Sequence, residues 1–243
     1  MVKCSRKGGD RVADIMIFKR YEKKYRLNKN EYSKLMSLIR EKLVPDKYGI
    51  STLCSLYLDT PDFVLIRNSI EAESYKEKLR IRSYGVPSDD KKLFFEIKKK
   101  YKGVVYKRRV SMTERMALEY IESGEKPFDS QIMREIDYAM TVYRRPKPNV
   151  CILCEREAFF TCDSPDVRLT FDKNLRYRRG FPREENVSDG VPLIGEDEYI
   201  LEIKTPGAMP LWLAHALSEC AVYPTKFSKY ANAYYDIIKK EKE

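Results

Sequence analysis

Apolar and charged residues alternate with a period of two through much of this chain. In residues 78–84, Leu79 and Ile81 fall on one side of an extended backbone and Lys78, Arg80 and Arg82 on the other. Successive side chains of a strand point to opposite faces, so this period predicts strands rather than helices. The alternation returns in 93–99, where Phe95 and Ile97 oppose Phe94, Glu96 and Lys98. In 104–112, Val105, Lys107 and Arg109 oppose Tyr106, Arg108 and Val110. Residues 150–160 align Arg156 with Cys154 and Ala158, residues 167–172 align Arg168, Thr170 and Asp172, and residues 199–205 set Glu202 and Lys204 against Leu201 and Ile203. Residues 15–27 and 51–59 read as two further strands, and 66–71 as a short strand or turn. Helical spacing appears in 30–43, where Asn28 or Asn30 can cap and Leu35, Ile39 and Leu43 repeat at every fourth position. Thr113 caps a second helix that Gly124 stops, and residues 131–143, 211–220 and 227–239 read as three more.

Short links between the strands predict a mainly antiparallel sheet. With 243 residues and 43% hydrophobic content, the chain can bury one sizeable core. Residues 1–14 read as a flexible tail and 15–243 as a single domain. Lys and Arg number 47 against 37 Asp and Glu, a formal charge of +10, which calls for an anionic partner. No run of about 18 apolar residues is present to cross a bilayer. The first residues lack the apolar core of a signal peptide, and six scattered Cys fit reduced thiols, so a cytoplasmic location is expected. Cys151 and Cys154 have zinc-ligand spacing, but three residues apart on a strand they face opposite sides, and no second pair completes a site. The only His, His215, lies in an apolar helical stretch and reads as a packing residue.

Charge distribution changes the picture more than the totals do. A single strand with one charged face is ordinarily a solvated strand. Here seven strands carry Arg or Lys on one face with few acids among them, and like charges on neighbouring strands repel. Helices are available to cover the apolar face. The charged face then turns inward if the sheet closes on itself. The expected fold is therefore α+β: an eight-stranded, mainly antiparallel closed β-barrel with helices packed outside and a basic channel within. Such a channel suits a linear phosphate chain. Nucleic-acid binding would instead set basic and aromatic residues on helices or loops, and no sequence-specific nucleic-acid contact is expected.

An ordered series of segments resembles the triphosphate tunnel metalloenzymes, and within them the VTC polyphosphate polymerase domain. RYEKKYRL resembles the opening strand, with Glu22 and Lys24 at the last acid and the lysine of the family's ExExK motif and Arg20 replacing its first acid. SLYLDT, EKLRIRSYG, FFEIKKK, VVYKRRV, EREAF, VRLTFD, LEIKTPG and PTKFSKY follow in family order, so the likeness spans about residues 18–232. It implies a tunnel that binds the triphosphate of ATP, passes the γ-phosphoryl group to a growing polyphosphate chain and releases ADP. Lys24, Arg80, Arg82, Lys98, Arg156 and Lys229 are the implied catalytic contacts. Lys78, Lys107, Arg109, Arg168, Lys204, Lys226 and Ser228 are the implied substrate-binding ones. Which of Lys107, Arg108 and Arg109 faces inward stays open. Glu202 is the first candidate to hold Mg²⁺ or Mn²⁺, with Glu22 and Glu96 behind it; Glu22 could instead hold Lys24 or an Arg in place.

The expected partners are ATP and inorganic polyphosphate, with no membrane insertion by this chain and a separate membrane partner as one route for the product. Two alternatives share the same tunnel. Water in place of the acceptor gives a tripolyphosphatase or nucleoside triphosphatase, and loss of chemistry gives a polyphosphate-binding subunit.

Overall fold

The computed structural model describes residues 21–102 and 104–241. The expected tail at 1–14 and the start of the strand at 15–27, with Arg20, lie outside these residues. In chain order the elements are β1 (Tyr21–Asn28), α1 (Lys29–Ile39), β2 (Leu43–Asp59), α2 (Val64–Glu71), β3 (Tyr75–Tyr84), β4 (Lys92–Tyr101), β5 (Val104–Thr113), α3 (Glu114–Ser123), α4 (Gln131–Val142), β6 (Lys147–Thr161), β7 (Arg168–Arg178), β8 (Val191–Pro192), β9 (Glu198–Thr205), α5 (Leu211–Glu219) and α6 (Lys229–Lys240).

Among the described residues all strand pairs are antiparallel. They form one sheet of nine strands in the order β1-β9-β7-β6-β2-β3-β4-β5, with β8 beside β7. This corrects the expected closed eight-stranded barrel. β1 and β5 are the two ends of the path, and no ladder joins them among the described residues. The need to shield a charged face does not require closure. The sheet shields that face by curling, with register shifts in the long β2–β6 ladder between Pro45 and Ile50 and between Tyr57 and Leu58. The start of α6 then covers part of it, as Phe227, Ser228 and Lys229 lie over side chains of β2, β3 and β6.

The outer face holds the main core in two halves. Leu56, Leu79, Ile81, Phe95, Ile97 and Leu153 pack beneath α3 and α4, through Ala117, Tyr120, Met133, Ile136 and Met140. On the other half Leu27, Phe159, Leu169, Phe171, Leu201 and Ile203 pack beneath α1 and α5, through Leu35, Ile39, Leu213 and Leu217. A third cluster sets Tyr57, Val150 and Ile152 against Tyr230, Ala233 and Ile237 of α6. Four helices start where the preceding residue supplies an oxygen for the free amides. Asn28 and Glu31 form a reciprocal cap on α1, Thr113 caps α3, Ser130 caps α4 and Ser228 caps α6.

Residues 66–71, read as a short strand or turn, belong to α2. The reason lies upstream: the buried Asp59 carboxylate accepts from the amides of Leu65 at 2.8 Å and Ile66 at 3.0 Å, and Thr60 Oγ1 accepts from Val64. A side chain five residues before the helix supplies its cap, so the local pattern is silent about it. His215 is exposed on α5 rather than packed in the core. Cys151 belongs to the outer-face core and Cys154 lines the inner side, as the strand period requires.

Leu79 and Ile81 are fully buried under α3 and α4. Leu79→Ala or Ile81→Ala should therefore lose about 2–5 kcal/mol of stability. Urea unfolding measures this; a midpoint equal to wild type for either variant would mean that the strand's faces are reversed.

Candidate active site

The inner face of the curled sheet holds a cavity of about 150 Å³ lined by eight basic side chains: Lys24, Lys78, Arg80, Arg82, Lys98, Arg156, Lys204 and Lys229. Glu22 and Glu202 line it too, with Ser55, Tyr57, Cys154, Phe227 and Ser228. A larger cavity of about 380 Å³ beside β1 and β9 has one charged lining residue, Lys23, and offers no comparable chemistry.

Strand register brings these groups together. Arg82, Arg80 and Lys78 of β3 lie opposite Phe94, Glu96 and Lys98 of β4, so all six side chains share the inner face. Lys24 lies opposite Glu202, Glu22 opposite Lys204, Thr170 opposite Glu202 and Asp172 opposite Arg156. Two carboxylates are nearly sealed from solvent, Glu96 and Asp172, each with its side chain 1% exposed. Glu96 takes Arg80 at 2.7 Å and Lys107 at 2.5 Å. Asp172 takes both nitrogens of the Arg156 fork, at 2.5 and 2.7 Å, and the Lys229 ammonium. Bidentate pairing fixes the guanidinium plane as well as its charge. Lys24 contacts Glu22 at 2.7 Å and Glu202 at 3.9 Å, while Lys204 contacts Glu202 closely and Glu22 at 4.0 Å. Among the described residues Arg82 has only the Ser55 hydroxyl, at 3.2 Å, and Lys78 only that of Ser228, at 3.4 Å.

The titration behaviour follows from this crowding. Burial pushes Glu96 up, but Arg80, Arg82 and Lys107 outweigh it and hold the carboxyl at about 2. Burial is likewise outweighed at Asp172, which Lys229 and Arg156 hold at about 2. Burial also opposes the lowering of Glu202, which Lys204, Lys24 and Arg156 drive well below the carboxylate range. On the cationic side, burial lowers Lys107 to about 8 against the pull of Glu96. Burial again leads at Lys98 and Lys78, both lowered, with Arg80 adding repulsion at each. Arg82 is lowered by burial and by the Arg80 charge.

Of the residues expected from sequence, Lys24, Lys78, Arg80, Arg82, Lys98, Arg156, Lys204, Ser228, Lys229, Glu22 and Glu202 line one cavity. The others lie around it. Lys107 and Arg109 are on the edge strand β5, with Lys107 on Glu96 and Arg109 4.6 Å above the Phe94 ring. Arg108 pairs with Glu135 of α4 on the outer side, which settles the orientation of that strand. Glu96 sits between Arg80 and Lys107 rather than on the cavity wall. Arg168 is tied to Asp46 at 2.8 Å and stacks over Phe160, and Lys226 is exposed ahead of α6.

Two residues escape the sequence pattern. Asp172 is visible there only as a member of an aligned face; its role depends on Arg156 and Lys229 from two other elements. Tyr57, beside Ser55 in the period of β2, stacks on Tyr230 at 4.5 Å and accepts from Arg80 at 3.4 Å. Burial opposes its ionisation, yet Arg80, Lys78 and Arg82 hold the phenol down at about 8.

The VTC domain matches residues 19–237. The chain belongs to the VTC domain family. No curated protein matches the sequence. Among solved structures, a candidate adenylate cyclase from Bacillus halodurans is 14% identical with a TM-score of 0.53, the match covering 85% of this chain and 92% of that one. A candidate adenylyl cyclase from Hippeastrum, described as having a dominant triphosphatase activity, is 18% identical with a TM-score of 0.54, over 86% of this chain and 92% of that one. At these identities the likeness is one of fold.

Glu96 and Asp172 have folded-state values below their ordinary 4.5 and 3.8. Their contribution to stability is full above about pH 4.5 and is lost as pH falls through about 2. Asp172→Asn should be less stable than wild type at about pH 5 and lose less on acidification. Urea midpoints across that range test this, and parallel curves for the two proteins would contradict it.

Proposed function

We propose that this VTC domain is a polyphosphate polymerase that transfers the γ-phosphoryl group of ATP to the end of an inorganic polyphosphate chain. The observation that carries the reading is the inner face itself: eight basic side chains on one small cavity, converging from five strands and the start of α6. Phosphoryl transfer needs positioning and charge neutralisation more than covalent catalysis by the protein.

Arg80 and Arg156 are held by Glu96 and Asp172, so they offer phosphate a fixed orientation. Arg82, Lys78 and Lys98 have no ion-pair partner among the described residues, which leaves their charge for the phosphate oxygens. In the reaction a terminal oxygen of the acceptor chain forms a bond to the γ-phosphorus, the bond to the β–γ bridging oxygen breaks, and ADP leaves with that electron pair. Cations along both sides of the γ-phosphate stabilise charge on its equatorial oxygens and on the leaving oxygen.

A divalent ion fits this site as part of a metal–phosphate complex. Among the described residues no group of three or more ligating side chains exists. Glu22 and Glu202 nevertheless offer two hard carboxylates on the cavity wall, the set that Mg²⁺ or Mn²⁺ takes together with substrate phosphate oxygens. Glu202, with Glu22, would hold it, and it would neutralise phosphate charge. Glu96 is committed to Arg80 and Lys107.

A second reading, triphosphate hydrolysis, is favoured by the unclosed sheet, which leaves room for water as the acceptor, and by the triphosphatase activity described for the Hippeastrum protein. ATP with Mn²⁺ separates the two. Polyphosphate visible on a gel with stoichiometric ADP is the expected product. ADP with orthophosphate and no chain would sink the polymerase reading and leave hydrolysis standing. Glu202→Ala should abolish turnover and leave polyphosphate binding equal or tighter, because a carboxylate repels phosphate except through its metal. Full activity in that variant would remove Glu202 from metal binding.

A further inference from the structure

Beyond the cavity, the same face of β3 and β4 carries one more register pair of lysines. Lys78 lies opposite Lys98, and Lys76 lies opposite Lys100. Residues two apart on a strand share a face, so Lys76 and Lys100 continue the inner face about 7 Å past the cavity wall. Glu77, between Lys76 and Lys78 in the chain, points the other way. It is buried, accepts from the Tyr143 hydroxyl at 2.6 Å and pairs with Lys99 at 3.2 Å.

With Arg82, these four lysines differ from most cations of the groove. Lys24, Arg80, Lys107, Arg156, Lys204 and Lys229 each have a carboxylate partner. Lys76, Lys78, Lys98 and Lys100 have no ion-pair partner among the described residues. Like charges directly opposite on neighbouring strands are destabilising. Two successive pairs without an acid between them form a concentrated positive track suited to a polyanion.

We propose that Lys76 and Lys100, continuing the line of Lys78 and Lys98 off the cavity wall, form an outer subsite for inorganic polyphosphate, holding the part of the chain that extends beyond the cavity. The proposal rests on the phosphate-handling reading of the groove and adds a dependence on chain length. Triphosphate fills the cavity and stops short of Lys76 and Lys100. A longer chain continues between them. The subsite would keep a growing chain attached between transfers, so it serves a ligand that a dedicated triphosphatase does not meet.

The test is a pair of binding titrations, with tripolyphosphate and with long-chain polyphosphate, on wild type and on Lys76→Gln/Lys100→Gln. Both substituted residues lie near the surface, where a charge contact is worth about 0.2–1 kcal/mol, so losing two should weaken long-chain binding roughly two- to thirtyfold. The salt dependence of long-chain binding should also flatten, since fewer counterions are released. Tripolyphosphate affinity should be unchanged, which also verifies that the variant is folded. A matched loss of charge on α1, Lys29→Gln/Lys34→Gln, should affect neither ligand. An equal loss for both ligands, or no loss for the long chain, or the same loss from the α1 variant, would overturn the subsite. If wild type binds neither ligand, the reading of the groove itself fails, and the subsite with it.

Discussion

Repulsion among buried cations is the constraint around which this fold is arranged. Two unit charges about 4 Å apart at an effective dielectric near 20 interact by about 4 kcal/mol, so an inner face with eight cations on one cavity cannot be assembled without compensation. Four carboxylates supply it. Glu96 and Asp172 are sealed beneath the cations they hold, and Glu22 and Glu202 stand on the cavity wall. Their distribution is uneven. Arg80 and Arg156 are clamped, whereas Arg82, Lys78 and Lys98 have no carboxylate within ion-pair distance among the described residues. On the proposed reading, the clamped arginines would set geometry and the uncompensated cations would set affinity. Apolar packing on the outer face, in two halves under α3 with α4 and α1 with α5, offsets what the inner face costs.

The sheet hides this face without closing. The observed sheet keeps β1 and β5 as separate edges. It still curls enough for Lys98 of β4 to act on Glu22 of β1. The start of α6 then lies over the inner face and contributes Ser228 and Lys229. An opening along the groove, rather than a sealed channel, is compatible with an extended polyanion lying in it.

Much of this is legible in sequence because a strand writes its two faces into alternate residues. Lys78, Arg80 and Arg82 against Leu79 and Ile81 identify an inner and an outer face before any coordinates, and both faces are as expected. Segment order carries the family. What sequence leaves out depends on pairing between distant segments. Asp172 becomes a clamp only because β7 lies beside β6 and α6 returns over both. Tyr57 gains its setting only where Tyr230 and the cations of β3 surround it. Closure does not follow from the alternation, which says only that a charged face must be hidden, and a curled sheet with a helix start hides it as well as a barrel does. The local pattern misses α2 because its cap, Asp59, belongs to the preceding strand.

Arg82 is the most direct probe of the central claim, because it lines the cavity, has no carboxylate partner among the described residues and is pushed down by burial and by its neighbour Arg80. Thermal unfolding of wild type and Arg82→Ala, each with and without tripolyphosphate at low salt, isolates the effect. A ligand present at a hundredfold its Kd stabilises the folded state by about 2.7 kcal/mol. Wild type should gain a higher Tm with tripolyphosphate, and the gain should shrink as salt is raised. Arg82→Ala should be as stable as wild type or more so without ligand, and should gain less when ligand is added. A wild-type Tm indifferent to tripolyphosphate, or a ligand-free Arg82→Ala protein clearly less stable than wild type, would contradict the view that this inner face is held in wait for a polyanion.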